Sequence, residues 1–217
     1  VGAVFVPLNF RLAGAELAYL LSDSGAEVLF VGPEYLELVF SLRDKLPSLR
    51  VVVPISDAED GVYAEALRGT AEQRTRRPVP NAGADDIVMQ MYTSGTTGQP
   101  KGALLSHRNL LAVMRQGLSW CSWRSGDRGM APMPLFHIGG VGWSLVMMNA
   151  GLSVVLMREV DPLAMLRAVQ QFKVSQLFVV PVILGAMLGC MQKGQFDVQS
   201  LRHVFYGASP INSSLLE

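Results

Sequence analysis

The sequence predicts an α/β fold of mostly parallel β-sheets flanked by helices. Three observations carry this. Short apolar runs alternate with segments of helical periodicity along most of the chain. The runs are apolar throughout, as strands covered on both faces are. Gly and Pro stand at the joins, where helices stop and start.

Residues 3–6 form a short strand candidate that Pro7 closes. Residues 14–22 place Leu17, Leu20 and Leu21 at helical spacing, and Asp23-Ser24-Gly25 ends the run. Gly25 suits the left-handed position just past a helix. Residues 28–31 read as a buried strand. Pro33 opens a second helix, with Leu36, Val39, Phe40 and Leu42 towards one side, and Pro47 ends it. Residues 49–53 are the next strand. Residues 54–86 are polar, with Arg74, Arg76, Arg77, Pro78 and Pro80. They read as a surface excursion with a short helix at 63–67. This stretch separates two expected α/β subdomains, 1–80 and 81–217, the first incomplete at its start and the second at its end.

The alternation resumes with a strand at 87–92 and a Gly/Ser/Thr loop. Ser106 is placed to cap a helix running to Leu118. Further strands are expected at 128–133, 152–156, 176–180 and 204–206, and helices at 142–149 and 183–191. Asp161-Pro162 supplies an N-cap and a first-turn proline for a helix to Phe172. Asn212 or Ser213 starts a last helix.

Composition limits the function classes. Among 217 residues, 18 Lys+Arg balance 18 Asp+Glu, 17% are charged and 50% are hydrophobic. Such a chain is not a disordered charged tail, and it lacks the basic surplus of a nucleic-acid binder. Cys121 and Cys190 are far apart and form no CxxC, against a disulfide scaffold or zinc site. A reducing, cytoplasmic setting is expected, with peripheral membrane contact left open. Residues 141–157 and 174–191 approach the length of a membrane span. Asn149 and Gly151 interrupt the first, and Ser175, Gln176 and Pro181 the second, so each reads as two short elements. The chain opens on Val1 inside an apolar run, and its last helix signal stops at Glu217, so it reads as a slice of a longer chain.

The chemistry concentrates in Tyr92-Thr93-Ser94-Gly95-Thr96-Thr97-Gly98-Gln99-Pro100-Lys101-Gly102. The glycines permit positive φ and close approach to a ligand. Successive free N–H groups form a concavity for an anion. Hydroxyls add donors, and Lys101 adds one positive charge. Together they suit a polyphosphate, most simply ATP. The loop is not a Walker A motif: Gly95 has the right spacing, but Pro100 precedes Lys101 and Gly102 follows it.

This segment resembles the signature of the AMP-forming adenylating enzymes: acyl-CoA synthetases, aryl-CoA ligases, nonribosomal-peptide adenylation domains and luciferases. Residues 2–9 with Arg11-Leu12 resemble the family's upstream stretch, Pro134-Leu135-Phe136-His137-Ile138-Gly139-Gly140 its second core motif, and Tyr206-Gly207-Ala208-Ser209-Pro210 its adenine-side motif. The pattern is most similar to bacterial fatty-acyl-CoA synthetases. An aryl-CoA or 4-coumarate-type ligase is the runner-up. A different ATP-using enzyme and a noncatalytic nucleotide-binding fragment are the alternatives.

The resemblance implies part of the N-terminal domain of an adenylate-forming enzyme. It implies attack of a carboxylate, for instance a fatty acid, on Mg-ATP to give acyl-adenylate and pyrophosphate, then thioester formation with coenzyme A. Thr93, Ser94, Gly95, Thr96, Thr97 and Gly98 would wrap the phosphates, and Lys101 would neutralise the departing pyrophosphate. Thr97 is a weak candidate for Mg²⁺. Gly207, Ala208, Ser209 and Pro210 would present backbone to adenine. His137 would stand at the acyl pocket with Gly139, Gly140, Trp143 and Tyr206. The plainer alternatives are a helix-start role for His137 and a core role for Trp143. His107 reads as a surface or capping residue, and His203 as structural. The family's Mg²⁺-binding Glu, ribose-binding Asp and C-terminal lysine are expected outside the sequence, so the 217 residues alone are expected not to turn over.

Overall fold

A computed structural model describes residues 2–56, 61–68, 82–94 and 98–215. The chain forms two compact units, Val1–His107 and Arg108–Glu217.

In the first unit, helix α1 spans Gly14–Asp23. Glu16 starts it by accepting from the Ala13 amide at 2.8 Å. Gly25, at φ +63°, turns the chain away. Strand β1 (Val28–Val31) pairs in parallel with β2 (Val51–Pro54). Between them lie a 3-10 turn at Pro33–Tyr35, helix α2 (Leu36–Ser41) and a second 3-10 turn at Arg43–Lys45. The single helix expected after Pro33 is thus broken into three short pieces. Ala18, Leu21, Val39, Leu42, Leu46 and Leu49 form the core they share. Helix α3 (Val62–Arg68) takes the place of the short helix expected at 63–67.

Strand β3 (Ile87–Thr93) and strand β4 (Lys101–Ser106) then form an antiparallel hairpin. The sequence pattern ran from the loop straight to a helix, so β4 is new. Residues 3–6 form no full strand: Phe5 makes one parallel bridge to Met89. That bridge ties the hairpin to the first unit, which therefore extends past residue 80 to His107.

Helix α4 (His107–Gly117) leads into the second unit. Its four strands are β5 (Arg128–Ala131), β6 (Ser153–Leu156), β7 (Gln176–Val179) and β8 (His203–Tyr206), all parallel, in the order β6-β5-β7-β8. Helices α5 (Ile138–Asn149), α6 (Pro162–Phe172) and α7 (Pro181–Met191) connect them, and a 3-10 turn follows at Ser213–Leu215. Asp161 caps α6 by accepting from the Leu163 and Ala164 amides at 2.8 and 3.1 Å. Trp143, Val146 and Met147 of α5 pack with Ala131, Phe178 and Phe205. Met165, Leu166 and Val169 of α6 and Met187 of α7 pack with Met130, Leu177 and Val179. Neighbours along one strand point to opposite faces. Hence α5 covers one face of the sheet, and α6 and α7 the other. Each fully buried Leu or Met here stabilises by about 2 kcal/mol over leaving it exposed.

The strand order has a consequence for ligands. From β5 the chain steps outward to β6, then back past β5 to β7 and on to β8. The direction reverses between β5 and β7. In open parallel sheets, ligands bind outside the carboxyl ends of the strands at such a reversal. Among the described residues, no helix is long and apolar enough to cross a membrane.

Candidate active site

The first unit supplies the neck of the Gly/Ser/Thr loop. Thr93 ends β3 and Lys101 begins β4, and the two are directly opposite in the ladder. Opposed residues in an antiparallel pair carry their side chains on the same face, about 5 Å apart at Cβ. Lys101 and Thr93 therefore stand together where the loop leaves and returns, both exposed. Ser94 follows, exposed. Gly98 has φ +127°, a conformation side-chain-bearing residues rarely adopt. Gly95, Thr96 and Thr97 lie outside the described residues.

Two contacts explain the flanking residues. Gln90 folds over Gly102, filling the space a Cβ would need, and donates to the Tyr92 hydroxyl at 3.1 Å. Tyr92 in turn donates to Asp23 of α1 at 2.6 Å. Burial first, then the Asp23 hydrogen bond and charge, pushes the Tyr92 hydroxyl well above the ordinary tyrosine range. It stays protonated and keeps donating.

The second unit supplies the carboxyl edge of the sheet. After β5 the chain passes through Pro134, Leu135 and Phe136 to His137, which has extended backbone at the start of α5. The His137 carbonyl accepts from the Gly140 and Val141 amides at 3.0 and 3.1 Å. Its side chain makes no capping bond. The exposed imidazole leans on the Phe136 ring, 4.6 Å between centroids. Gly140 lies against the Met133 and Pro134 carbonyls with no room for a side chain. This close approach lets α5 begin at Ile138, ahead of the start expected at residue 142.

Phe178 joins this motif to the one after β8. A Cβ on Gly139 would sit 3.3 Å from the Phe178 ring, and a Cβ on Gly207 would sit 3.5 Å from it. One aromatic ring thus underlies both glycines. Trp143 is buried and donates its indole N–H to the Met130 carbonyl at 2.9 Å. Its ring lies 5.9 Å from Phe178 and 5.1 Å from Phe205. It supports Phe178 from within the core. Tyr206 ends β8, 46% exposed. Ala208 has φ +67°, a left-handed conformation that costs a non-glycine residue about 1–2 kcal/mol. Ala208, Ser209 and Pro210 are exposed beside half-buried Gly207, so small residues leave this backbone open to a flat ring.

Sequence reasoning passed over Phe178, since an apolar strand residue reads as core. It also missed a polar cluster at the opposite, amino edge of the sheet. Asp127, 7% exposed, accepts from Arg202 at 2.7 Å, Ser175 at 2.8 Å, Gln176 at 3.1 Å and the Arg124 amide at 2.8 Å. Burial alone would raise its pKa. The donors outweigh that and hold the carboxyl below its ordinary value. His203 Nδ1 lies 3.1 Å from the Gln176 amide oxygen, which gives this histidine a structural partner. Burial pushes the nearby Cys121 thiol up, away from a nucleophile's range. Among the described residues, no three His, Cys, Asp or Glu side chains gather as a metal site.

Comparison with known proteins identifies the family. The family model for AMP-binding enzymes matches residues 1–217. The fatty acid–[acyl-carrier-protein] ligase ScoC of Streptomyces coeruleorubidus is 35% identical over 220 residues, covering 100% of this chain and 41% of that protein. A feruloyl-CoA synthase from an Amycolatopsis species is 38% identical over 216 residues, covering 99% of this chain and 41% of that protein. The inhibitor-bound N-terminal domain of FACL13 from Mycobacterium tuberculosis superposes with a TM-score of 0.87 at 29% identity, over 99% of this chain and 52% of that one. The chain thus spans well under half the length of these curated relatives. The match of the family model over the whole chain, on the α/β scaffold described above, places the chain in the family of AMP-binding enzymes.

Proposed function

We propose that the whole protein activates a carboxylic acid with ATP, releasing pyrophosphate, and passes the acyl group from acyl-adenylate to the thiol of coenzyme A. The observation that carries this is Lys101 opposite Thr93 at the neck of the loop, within a chain that matches the family from end to end. The reaction asks for alignment and for neutralisation of charge on phosphate oxygens. Lys101 supplies the charge as pyrophosphate departs. Thr93, Ser94, Gly95, Thr96, Thr97 and Gly98 supply hydroxyl and backbone donors to the phosphates. Gly207, Ala208, Ser209 and Pro210 offer their open backbone to adenine. His137 stands beside the carbonyl under attack, with Gly139, Gly140 and Tyr206 around the acid and Trp143 backing Phe178. Mg²⁺ carried on the ATP would supply charge neutralisation at the phosphates. Thr97 would assist there as a hydroxyl ligand.

A fatty acid is the favoured substrate, in keeping with the fatty-acid ligases among the relatives. An aromatic acid is the second reading, favoured by a feruloyl-CoA synthase at 38% identity and an indoleacetate–CoA ligase at 33%. The test is carboxylate-dependent ATP–pyrophosphate exchange by the whole protein against fatty, aryl and steroid-side-chain acids. Exchange with one class and not the others identifies the substrate, and no exchange with any acid refutes the proposal. Lys101→Ala should slow exchange by about 100-fold, the scale of one lost transition-state contact, with Tm unchanged. An unchanged rate would remove Lys101 from the mechanism.

A further inference from the structure

Helix α1 holds the neck of the loop with two side chains one turn apart. Tyr19 and Asp23 are separated by four positions and so share a helix face. The Tyr19 hydroxyl donates to the Pro100 carbonyl at 3.3 Å. Asp23 accepts from the Tyr92 hydroxyl at 2.6 Å. Tyr92 lies in β3, one residue before Thr93, and Pro100 directly precedes Lys101 in β4. One helix face thus ties the outgoing and the returning arm of the loop. The ladder needs neither tie, since its pairing from Thr93–Lys101 down to Ile87–Ser106 runs through the backbone. Proline has no N–H, so its carbonyl is the only hydrogen-bonding group Pro100 owns. Tyr19 takes it.

We infer that Tyr19 and Asp23 are positioning residues for the nucleotide. They fix the spacing and direction of the two arms, so that Thr93 and Lys101 meet the phosphates already aligned. The inference rests on the ATP-binding reading above. Alignment matters because a displacement of about 1 Å can cost about 100-fold in rate. Loss of one neutral hydrogen bond at a half-buried position is worth about three- to tenfold.

The test is Tyr19→Phe in the whole protein, which removes the hydroxyl and keeps the ring. In pyrophosphate exchange, kcat/KM for ATP should fall by about three- to tenfold, with KM for the acid unchanged and Tm lower by no more than a few degrees. Asp23→Ala, which removes a charged acceptor, should lower kcat/KM for ATP at least as much. Asp23→Asn, whose amide oxygen still accepts from Tyr92, should recover most of the loss. Hydrogen–deuterium exchange without nucleotide should quicken over residues 98–102 in Tyr19→Phe and stay constant over β5–β8. Unchanged amide exchange would overturn the inference, whether or not the protein uses ATP. Faster amide exchange with unchanged ATP kinetics would reduce Tyr19 to a structural tie and overturn it too. A wild type with no ATP-dependent exchange would instead sink the functional reading, and the positioning role with it.

Discussion

Lys101, His137, Gly140 and Ala208 show how differently single residues bear on the site. Lys101 and His137 are exposed side chains at element ends. Gly140 and Ala208 act through backbone. A methyl group on Gly140 would overlap two carbonyl oxygens that cannot turn aside. Gly140→Ala should therefore destabilise by about 3 kcal/mol, the upper range for overpacking, lowering Tm by roughly 10 °C. Gly189→Ala in α7 is the contrast, since a methyl there meets nothing within 4 Å. It should be neutral or stabilise by up to about 1 kcal/mol. Thermal melts of the two variants check the pair. Lys101 stood out because a lone lysine between Pro and Gly is unusual after an apolar strand, whereas Gly207 was singled out only by the resemblance of the Tyr-Gly-Ala-Ser-Pro run. The left-handed turn at Ala208 was not legible, because nothing in an Ala-Ser-Pro run demands positive φ.

Among the elements, those read well share continuous apolar runs: β1, β2, β7 and β8, with α6 fixed by Asp161-Pro162. Strand β4 escaped because Lys-Gly-Ala-Leu-Leu-Ser neither alternates nor runs apolar. Its strand state comes from pairing with β3, a tertiary cause that outweighs weak local preference. The amino-edge cluster escaped for another reason. Asp127, the adjacent pair Ser175-Gln176 and Arg202 come from three distant stretches of sequence, and only the parallel sheet brings the starts of β5, β7 and β8 together. This cluster makes the second unit sensitive to acid. The carboxyl of Asp127 is held below its ordinary value, so its stabilising effect is complete above the unfolded pKa, about 4. It is lost as pH falls through the lower, folded value. Asp127→Asn leaves Arg202 without its partner charge and should cost about 2–4 kcal/mol near pH 7. The gap between wild type and variant should shrink as pH drops below 4 in urea titrations of both proteins. A gap that stays constant with pH would show that the charge of Asp127 does not matter.

At the scale of the whole molecule, the fold class was readable because parallel strands under helices leave a composition signature, and half of the 217 residues are hydrophobic. The balanced charge did not preclude a polyanionic ligand. Anion binding needs a short loop with one lysine, and it leaves the overall charge at zero. On the proposed reading, choice of acid would belong to this scale, since it would depend on several elements at once. Phe178 lies under Gly139 and Gly207, so Phe178→Ala should enlarge the space there and shift the ranking of acids towards bulkier ones. Pyrophosphate exchange across the acid panel reads that ranking, and an unchanged order would place acid selection elsewhere. The sheet also divides its labour between two rims. Candidate ligand groups sit where the strands end, and the ionic clasp sits where they begin. On the proposed reading, a substitution among the exposed residues where the strands end would leave the ionic contacts where they begin untouched, so the two rims can be altered separately.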